Sequence, residues 1–362
     1  MKRIGVLTGG GDAPGLNAVL RAVVRTAETV YGAEVIGVLD GFKGLLDGRF
    51  RHLCGPDVRE LIRMGGTVLG TTNRDNPFAC PGEAGPIDRS AEVLENARRA
   101  GLDALIIIGG DGTLRIASDL GRRGLPVIGV PKTIDNDLAS TDYTFGFWTA
   151  IDTATEALDR LRDTAESHHR VMLLEVMGRH AGWIALHAGI AGAADVILIP
   201  EIPYDPHSVA TTVVRCQERG RASSLLVVAE GAMPRGGEMA VVAVDPTTGV
   251  KRLGGAAERL ARELEALTRC DVRVTVLGHL QRGGSPVAFD RILATRFGEA
   301  AVHAAMAGRF NRMIRLAAGC IEDVDLGEAV REVKLVDPEG SLLKTARALG
   351  IAFGDEDQLM AS

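Results

Sequence analysis

Short β-branched runs recur along the chain, each closing on glycine and leading into a stretch with helical spacing: IGVLTGGGD, EVIGVLDG, ALIIIGGDG, PVIGVPKT, VMLLEVMGR and SLLVVAEGA. Their hydrophobicity is continuous rather than alternating. Strands buried on both faces read this way, so the six runs predict parallel strands. The segments 18–29, 151–162 and 256–267 carry apolar residues three and four apart and predict helices. Strand and helix in alternation predict an α/β protein with a doubly wound sheet, whose ligands bind in the loops at the carboxyl ends of the strands.

Composition narrows the function class. At 362 residues two domains are the natural expectation. Only 4% of residues are aromatic and the formal net charge is −6, which leaves few rings for base stacking and no basic excess for a polyphosphate backbone. Nucleic acid is therefore not an expected partner, and any phosphate site must be local. Cys54, Cys80, Cys216, Cys270 and Cys320 form no CxxC pair, so isolated reduced thiols are expected. The apolar run at the N-terminus meets glycine too soon for a signal-peptide core or a membrane span, and a cytoplasmic protein with no membrane partner is the expectation.

Three strand-end loops carry the candidate chemistry. In the first, Gly9–Gly10–Gly11 followed by Asp12, Ala13, Pro14 and Gly15, backbone N–H groups can face an anion at a helix N-terminus, although a tight turn explains the glycines equally well. No GxxxxGK[ST] occurs, and GxGxxG with a ribose-binding acid is not convincing here. The second loop, Gly109 to Thr113, sets Asp111 among residues too small to obstruct a nucleotide tail. Mg²⁺ is held by one or two carboxylates plus phosphate oxygens, so Asp111 is the metal candidate, with helix capping as its other reading. The third, Pro131 to Asp137, packs Thr133, Asp135, Asn136 and Asp137 behind a strand. A hydroxyl attacking phosphorus must lose its proton, and Asp135 is the candidate base; Asp137 can serve the metal or orient its neighbour, and Thr133 can donate to phosphoryl oxygens. Further on, His169, Arg170, Glu175, Met177, Gly178, Arg179, Glu230, Arg273, His279, Gln281 and Arg282 supply the cations and acids that a phosphorylated sugar requires.

TGGGDAPGLN, IGGDGT, PKTIDND, EVMGRHAGW and VLGHLQRGGSP occur in order, and with them the chain from about Lys2 to Gly308 resembles the phosphofructokinase A family. GGDGT alone also fits NAD-kinase and lipid-kinase relatives; PKTIDND and HLQRGG do not. The resemblance implies two doubly wound Rossmann-like domains with mostly parallel sheets and the active site in the cleft between them. The larger, nucleotide-binding domain would hold 1–146 and about 264–312, the smaller sugar-phosphate domain about 147–263 and 313–335, with 336–362 a C-terminal extension. It implies transfer of the γ-phosphoryl of MgATP to the C1 hydroxyl of fructose 6-phosphate by a homotetramer or dimer that shares its sites.

Residue by residue, the resemblance assigns Gly11, Arg74 and Gly110, Asp111, Gly112 and Thr113 to the nucleotide phosphates, with Asp111 on Mg²⁺. Thr133, Ile134 and Asp135 lie beside the reacting hydroxyl, Asp135 as base. Arg179 steadies the transferring group; Met177, Gly178, Glu230, His279, Leu280, Gln281 and Arg282 line the sugar site; Arg170 and Arg273 reach the 6-phosphate from a neighbouring subunit. Two positions bear on the donor. Gly112 leaves room for the α-phosphate and adenosine, where aspartate selects pyrophosphate, whereas Lys132 is the residue that pyrophosphate users carry. A steric and like-charge block must be absent for ATP, while an extra lysine need not exclude it, so ATP is expected and pyrophosphate is the alternative. A non-catalytic sugar-phosphate or nucleotide sensor is a remoter one. Arg21, Arg25 and Arg162 resemble effector-pocket arginines, with Asp195 where allosteric bacterial members tend to have Glu. The loops at 77–86 and 233–254 and the tail exceed the compact bacterial pattern and receive no function.

Overall fold

A computed structural model describes residues 1–82, 85–244 and 251–356; parts of the two long loops and the last six residues of the tail thus lie outside the described residues. The chain forms two compact units. The first holds Met1–Thr149 and Arg282–Val333, and the second holds Ala150–Gln281 and the chain from Lys334 onward.

In the first unit, β1 (Arg3–Thr8), β2 (Glu34–Val38), β3 (Phe50–Leu53), β4 (Ala104–Gly109) and β5 (Val127–Pro131) belong to one seven-stranded sheet. In the second, β6 (Val171–Val176), β7 (Val196–Leu198) and β8 (Ser224–Ala229) share a four-stranded sheet, and β9 (Val241–Val244) pairs with β10 (Lys251–Leu253) in a separate ribbon. The remaining strands are β11 (Val272–Val276) of the second sheet and β12 (Arg312–Ala317) and β13 (Cys320–Asp325) of the first. The orders are β13-β12-β5-β4-β1-β2-β3 and β11-β6-β8-β7. All six runs predicted as strands are present. Every residue of β4, β6 and β8 is buried, which is why their sequences do not alternate. The predicted helices extend past their expected bounds, to Leu16–Tyr31, Phe147–His168 and Ala256–Thr268.

The expected domain borders need correction. Residues 264–281 fall in the second unit, because β11 pairs in parallel with β6. Residues 313–333 fall in the first: β12 lies parallel to β5 and antiparallel to β13. Ala318 and Gly319 join the last two strands, both at positive φ (48° and 83°), the backbone of a tight hairpin, and Ala-Gly is a weak signal for one. Nor is the tail a mere extension. Leu343, Ala346 and Phe353 are buried, and Ala352 bridges Val196, covering the edge of the four-stranded sheet.

Glu175, grouped above with sugar-phosphate residues, has another role. It is the one charge in β6 and is buried, accepting the N–H groups of Gly255 (3.1 Å) and Ala257 (2.9 Å) at the start of the helix Ala256–Thr268. Free N–H groups at a helix N-terminus are natural partners for a carboxylate, so this acid ties a helix to the sheet and is not open to a ligand. All five cysteines are free thiols. Among the described residues no helix is long and apolar enough to cross a membrane.

Candidate active site

The strands β5, β4, β1 and β2 are parallel neighbours, so their carboxyl ends lie along one edge of the first sheet. The three candidate loops leave that edge side by side. Gly9 N–H donates to the Ile108 carbonyl (2.9 Å) and Lys132 N–H to the Gly109 carbonyl (2.9 Å), joining the first loop to the second and the second to the third. Thr113, in the first turn of the helix Asp111–Arg122, packs into this junction. A Cβ on Gly109 would lie 2.3 Å from the Thr113 Cγ2, so only glycine lets strand and helix meet so closely. At Gly112 the situation is the reverse: a Cβ there would meet no atom within 4 Å. Its flank is open.

Carboxylates gather at this edge. Burial and the neighbouring charge of Asp135 push the Asp137 carboxyl up to about 6, with Asp111 adding to the effect and a bond from Thr133 opposing it. Asp137 therefore feels the charge of both other acids. Asp111 accepts from Arg115 Nε at 2.8 Å, one helical turn on. Thr133 Oγ1 accepts the Asp135 N–H (3.1 Å), and its carbonyl accepts the Thr144 hydroxyl (2.7 Å), which fixes the third loop. Ile134, expected beside the reacting hydroxyl, is fully buried.

Lys132, expected above to bear on the choice of donor, is a buried residue. Its side chain is 3% exposed and its ammonium donates to the Gly11 carbonyl, so it props the first loop from beneath. Burial, with the Arg282 guanidinium beside it, pulls Lys132 down to about 7 against the opposing charges of Asp12, Asp135 and Asp137. Its place directly after the buried run Val127–Pro131 is the signal that could have revealed this. Arg282, expected at the sugar site, lies against the same loop: Nη1 donates to the Asp12 carbonyl at 3.1 Å, and a Cβ on Gly11 would sit 2.8 Å from it. Arg74 is exposed.

The second unit brings another set of predicted residues together. After β6 come Met177, Gly178 and Arg179; after β8 comes Glu230, whose N–H donates to the Val176 carbonyl (2.9 Å). Gly231 N–H donates to the Gly178 carbonyl (3.2 Å), locking the two loops together. Arg179 Nε is buried and makes no hydrogen bond. A buried guanidinium nitrogen of this kind calls for an anion. Gln281 is wholly buried, and its Oε1 accepts the Met177 N–H at 2.7 Å, so it orients the loop rather than facing solvent. His279 and Leu280 are exposed, the latter by 68%. Arg170 and Arg273 both pair with Asp271. Arg162 donates to the carbonyls of Gly192 and Ala193, and Asp195 pairs with Arg221.

A family model, Phosphofructokinase, matches residues 3–305. The chain belongs to the phosphofructokinase family. It is 55% identical over 360 residues to an ATP-dependent 6-phosphofructokinase of Chloroflexus aurantiacus, with 98% of each chain covered. It is also 52% identical over 338 residues to a pyrophosphate–fructose 6-phosphate 1-phosphotransferase of Amycolatopsis methanolica, covering 93% of this chain and 97% of that one. The fold resembles Pichia pastoris phosphofructokinase in the T-state, with a TM-score of 0.79 at 32% identity; the match covers 99% of this chain and 38% of that larger one. Family membership accounts for the doubly wound units and their glycine-ended strands. Relatives of nearly equal identity carry names with different donors, so the choice of donor falls to local geometry.

Lys132 supplies a test of that geometry. Its folded pKa lies below the value of about 10.5 for a free lysine, so the unfolded chain binds more protons between pH 7 and that value. Stability from this group therefore rises with pH across the window. In denaturant unfolding at pH 7 and pH 9.5, the stability of the wild type relative to Lys132→Met should shift in favour of the wild type at the higher pH. An unchanged difference would mean that the lysine is solvated and does not prop the loop.

Proposed function

We propose that the chain transfers the γ-phosphoryl of MgATP to the C1 hydroxyl of fructose 6-phosphate, giving fructose 1,6-bisphosphate and ADP. One observation carries this reading: Asp111, at the end of β4, and Asp135 and Asp137, in the loop after the neighbouring β5, stand at a sheet edge whose flank at Gly112 is open. An acid cluster is suited to a metal-bound anhydride, and the open flank suits a donor that continues beyond its transferable phosphates.

Asp111 would hold Mg²⁺. Among the described residues no group of three or more His, Cys, Asp or Glu side chains could hold a metal unaided, so the other ligands would come from donor phosphates and water. Bound there, the ion supplies positive charge to the donor phosphates and to the acid cluster. Backbone N–H groups of the loop around Gly11 and of Gly110, Gly112 and Thr113 bind the phosphates, with Arg74 beside them. Asp135 accepts the C1 proton, and Thr133, whose backbone is fixed through Thr144, orients it. In the second unit, Arg179 stabilises the transferring group, while Met177, Gly178, Glu230 and His279 bind the sugar. Arg170 and Arg273 take the 6-phosphate of a neighbouring subunit, in a homo-oligomer, tetramer or dimer, that works in the cytoplasm. Gln281 and Ile134 act through the backbone they hold.

Lys132 favours pyrophosphate less than its identity suggested. Buried on the Gly11 carbonyl, it supports the loop that any donor must meet. A purified-protein assay with ATP or pyrophosphate, each with and without fructose 6-phosphate and Mg²⁺, should give turnover with ATP only when all three components are present. Asp135→Ser should lower kcat by about 10²- to 10⁴-fold with little change in KM for the sugar phosphate, the range for loss of a general base. Normal turnover in that variant would remove Asp135 from its role. Gly112→Asp should cut kcat/KM for ATP by about a hundredfold or more through like-charge contact and lost space. An undiminished ATP rate would show that the donor does not lie along Gly112.

A further inference from the structure

The segment Met177–Gly182 links β6 to the helix Trp183–Ala191 without regular structure of its own, yet it carries Arg179. Two anchors fix it. At its start, Met177 N–H is held by the buried Gln281. At its end stands Glu201, three residues beyond β7: Oε1 and Oε2 accept the Gly182 N–H at 3.0 and 3.1 Å, and Oε1 also accepts the Val336 N–H at 2.8 Å. Burial raises the Glu201 carboxyl above its ordinary value even though these N–H groups favour its charge. The approach is close by design of the sequence: a Cβ on Gly182 would lie 3.0 Å from Glu201 Oε2 and 2.3 Å from Ile199 Cγ2.

The partner across this carboxylate is the C-terminal segment. Beside the Val336 bond, Trp183 Nε1 donates to the Lys334 carbonyl at 2.8 Å, and the Lys334 ammonium lies 5.4 Å over the indole. Downstream, Ile197 N–H donates to the Ala352 carbonyl (2.9 Å) and Ala352 N–H to the Asp195 carbonyl (3.0 Å), so the segment is itself stitched to the strand edge. Of these partners Lys334, Val336 and Ala352 lie past residue 305, where the family model's match ends.

We propose that Glu201 is a positioning residue which clamps the Met177–Gly182 loop to the C-terminal segment, so that the chain from Lys334 onward sets the affinity for the sugar phosphate through the placement of Met177 and Gly178. The clamp stands on the contacts above; its effect on the sugar phosphate rests on the function proposed for Met177 and Gly178. An amide removes the charge that strengthens every one of these bonds, and in either orientation its NH₂ opposes the Gly182 N–H, which both carboxylate oxygens accept.

In the full chain, Glu201→Gln should accelerate hydrogen exchange at both Gly182 and Val336 by about tenfold, the loss expected for a charge-assisted bond. It should raise KM for fructose 6-phosphate by a similar factor and leave KM for the donor within twofold. Protection unchanged at both amides, or lost at Val336 alone, overturns the clamp; an unchanged sugar KM with faster exchange at both overturns its role in binding. If the wild type transfers no phosphoryl group, the functional reading falls, while the exchange result still decides the clamp. Should Glu201→Gln not fold, Trp183→Phe removes the single indole bond to Lys334, and about threefold changes in the same measurements are expected; no change in either would count against the proposal.

Discussion

The gathering of Asp111, Asp135 and Asp137 at the end of neighbouring strands is the constraint on which the first unit turns. Burial first, and then the charges of Asp135 and Asp111, raise the carboxyl of Asp137. A fold retains such an arrangement at a cost in stability. The cost is offset when a cation enters with its own anionic ligands, because attraction then replaces repulsion at the same place. The sheet produces the crowding directly: parallel strands that are immediate neighbours release their loops at one edge, and short glycine-rich turns keep those loops within reach of each other.

Lys132 and Arg282 complete the electrostatics from the other side. Both lie against the Gly11–Asp12 backbone, where burial and then the Arg282 guanidinium lower the Lys132 pKa while the acids oppose that effect. A lysine that reads in one dimension as a ligand for a small anion is, in three dimensions, a buried support for a loop. In the second unit the same distinction recurs. Arg179 Nε and Gln281 Nε2 are both buried without a hydrogen bond, whereas the Gln281 Oε1 and the Glu175 carboxylate are engaged by backbone N–H groups.

Much of this was legible in the residues. Six strands were readable because burial on both faces leaves little alternation, and glycine just past five of them marked their loops, while the loop after β5 was marked by its acids instead. The domain borders were not. The crossing at Thr149–Ala150 lies three residues from its expected place, but those at Gln281–Arg282 and Val333–Lys334 do not follow from the sequence pattern, and β12 and β13 depend on an Ala-Gly hairpin with little sequence signal. Nor was the direction of a polar side chain readable. Glu175 and Glu201 are acids of the same kind as Glu230, and only the packing of a helix start or a tail against them reveals what they hold.

The central claim is that Asp111 binds the metal of a nucleotide lying along Gly112. The most direct measurement is electron paramagnetic resonance of Mn²⁺ with a non-hydrolysable ATP analogue, comparing the wild type with Asp111→Asn. The account predicts a protein-bound Mn²⁺–nucleotide signal in the wild type that is lost or strongly weakened in the variant. An undiminished signal in the variant would contradict it.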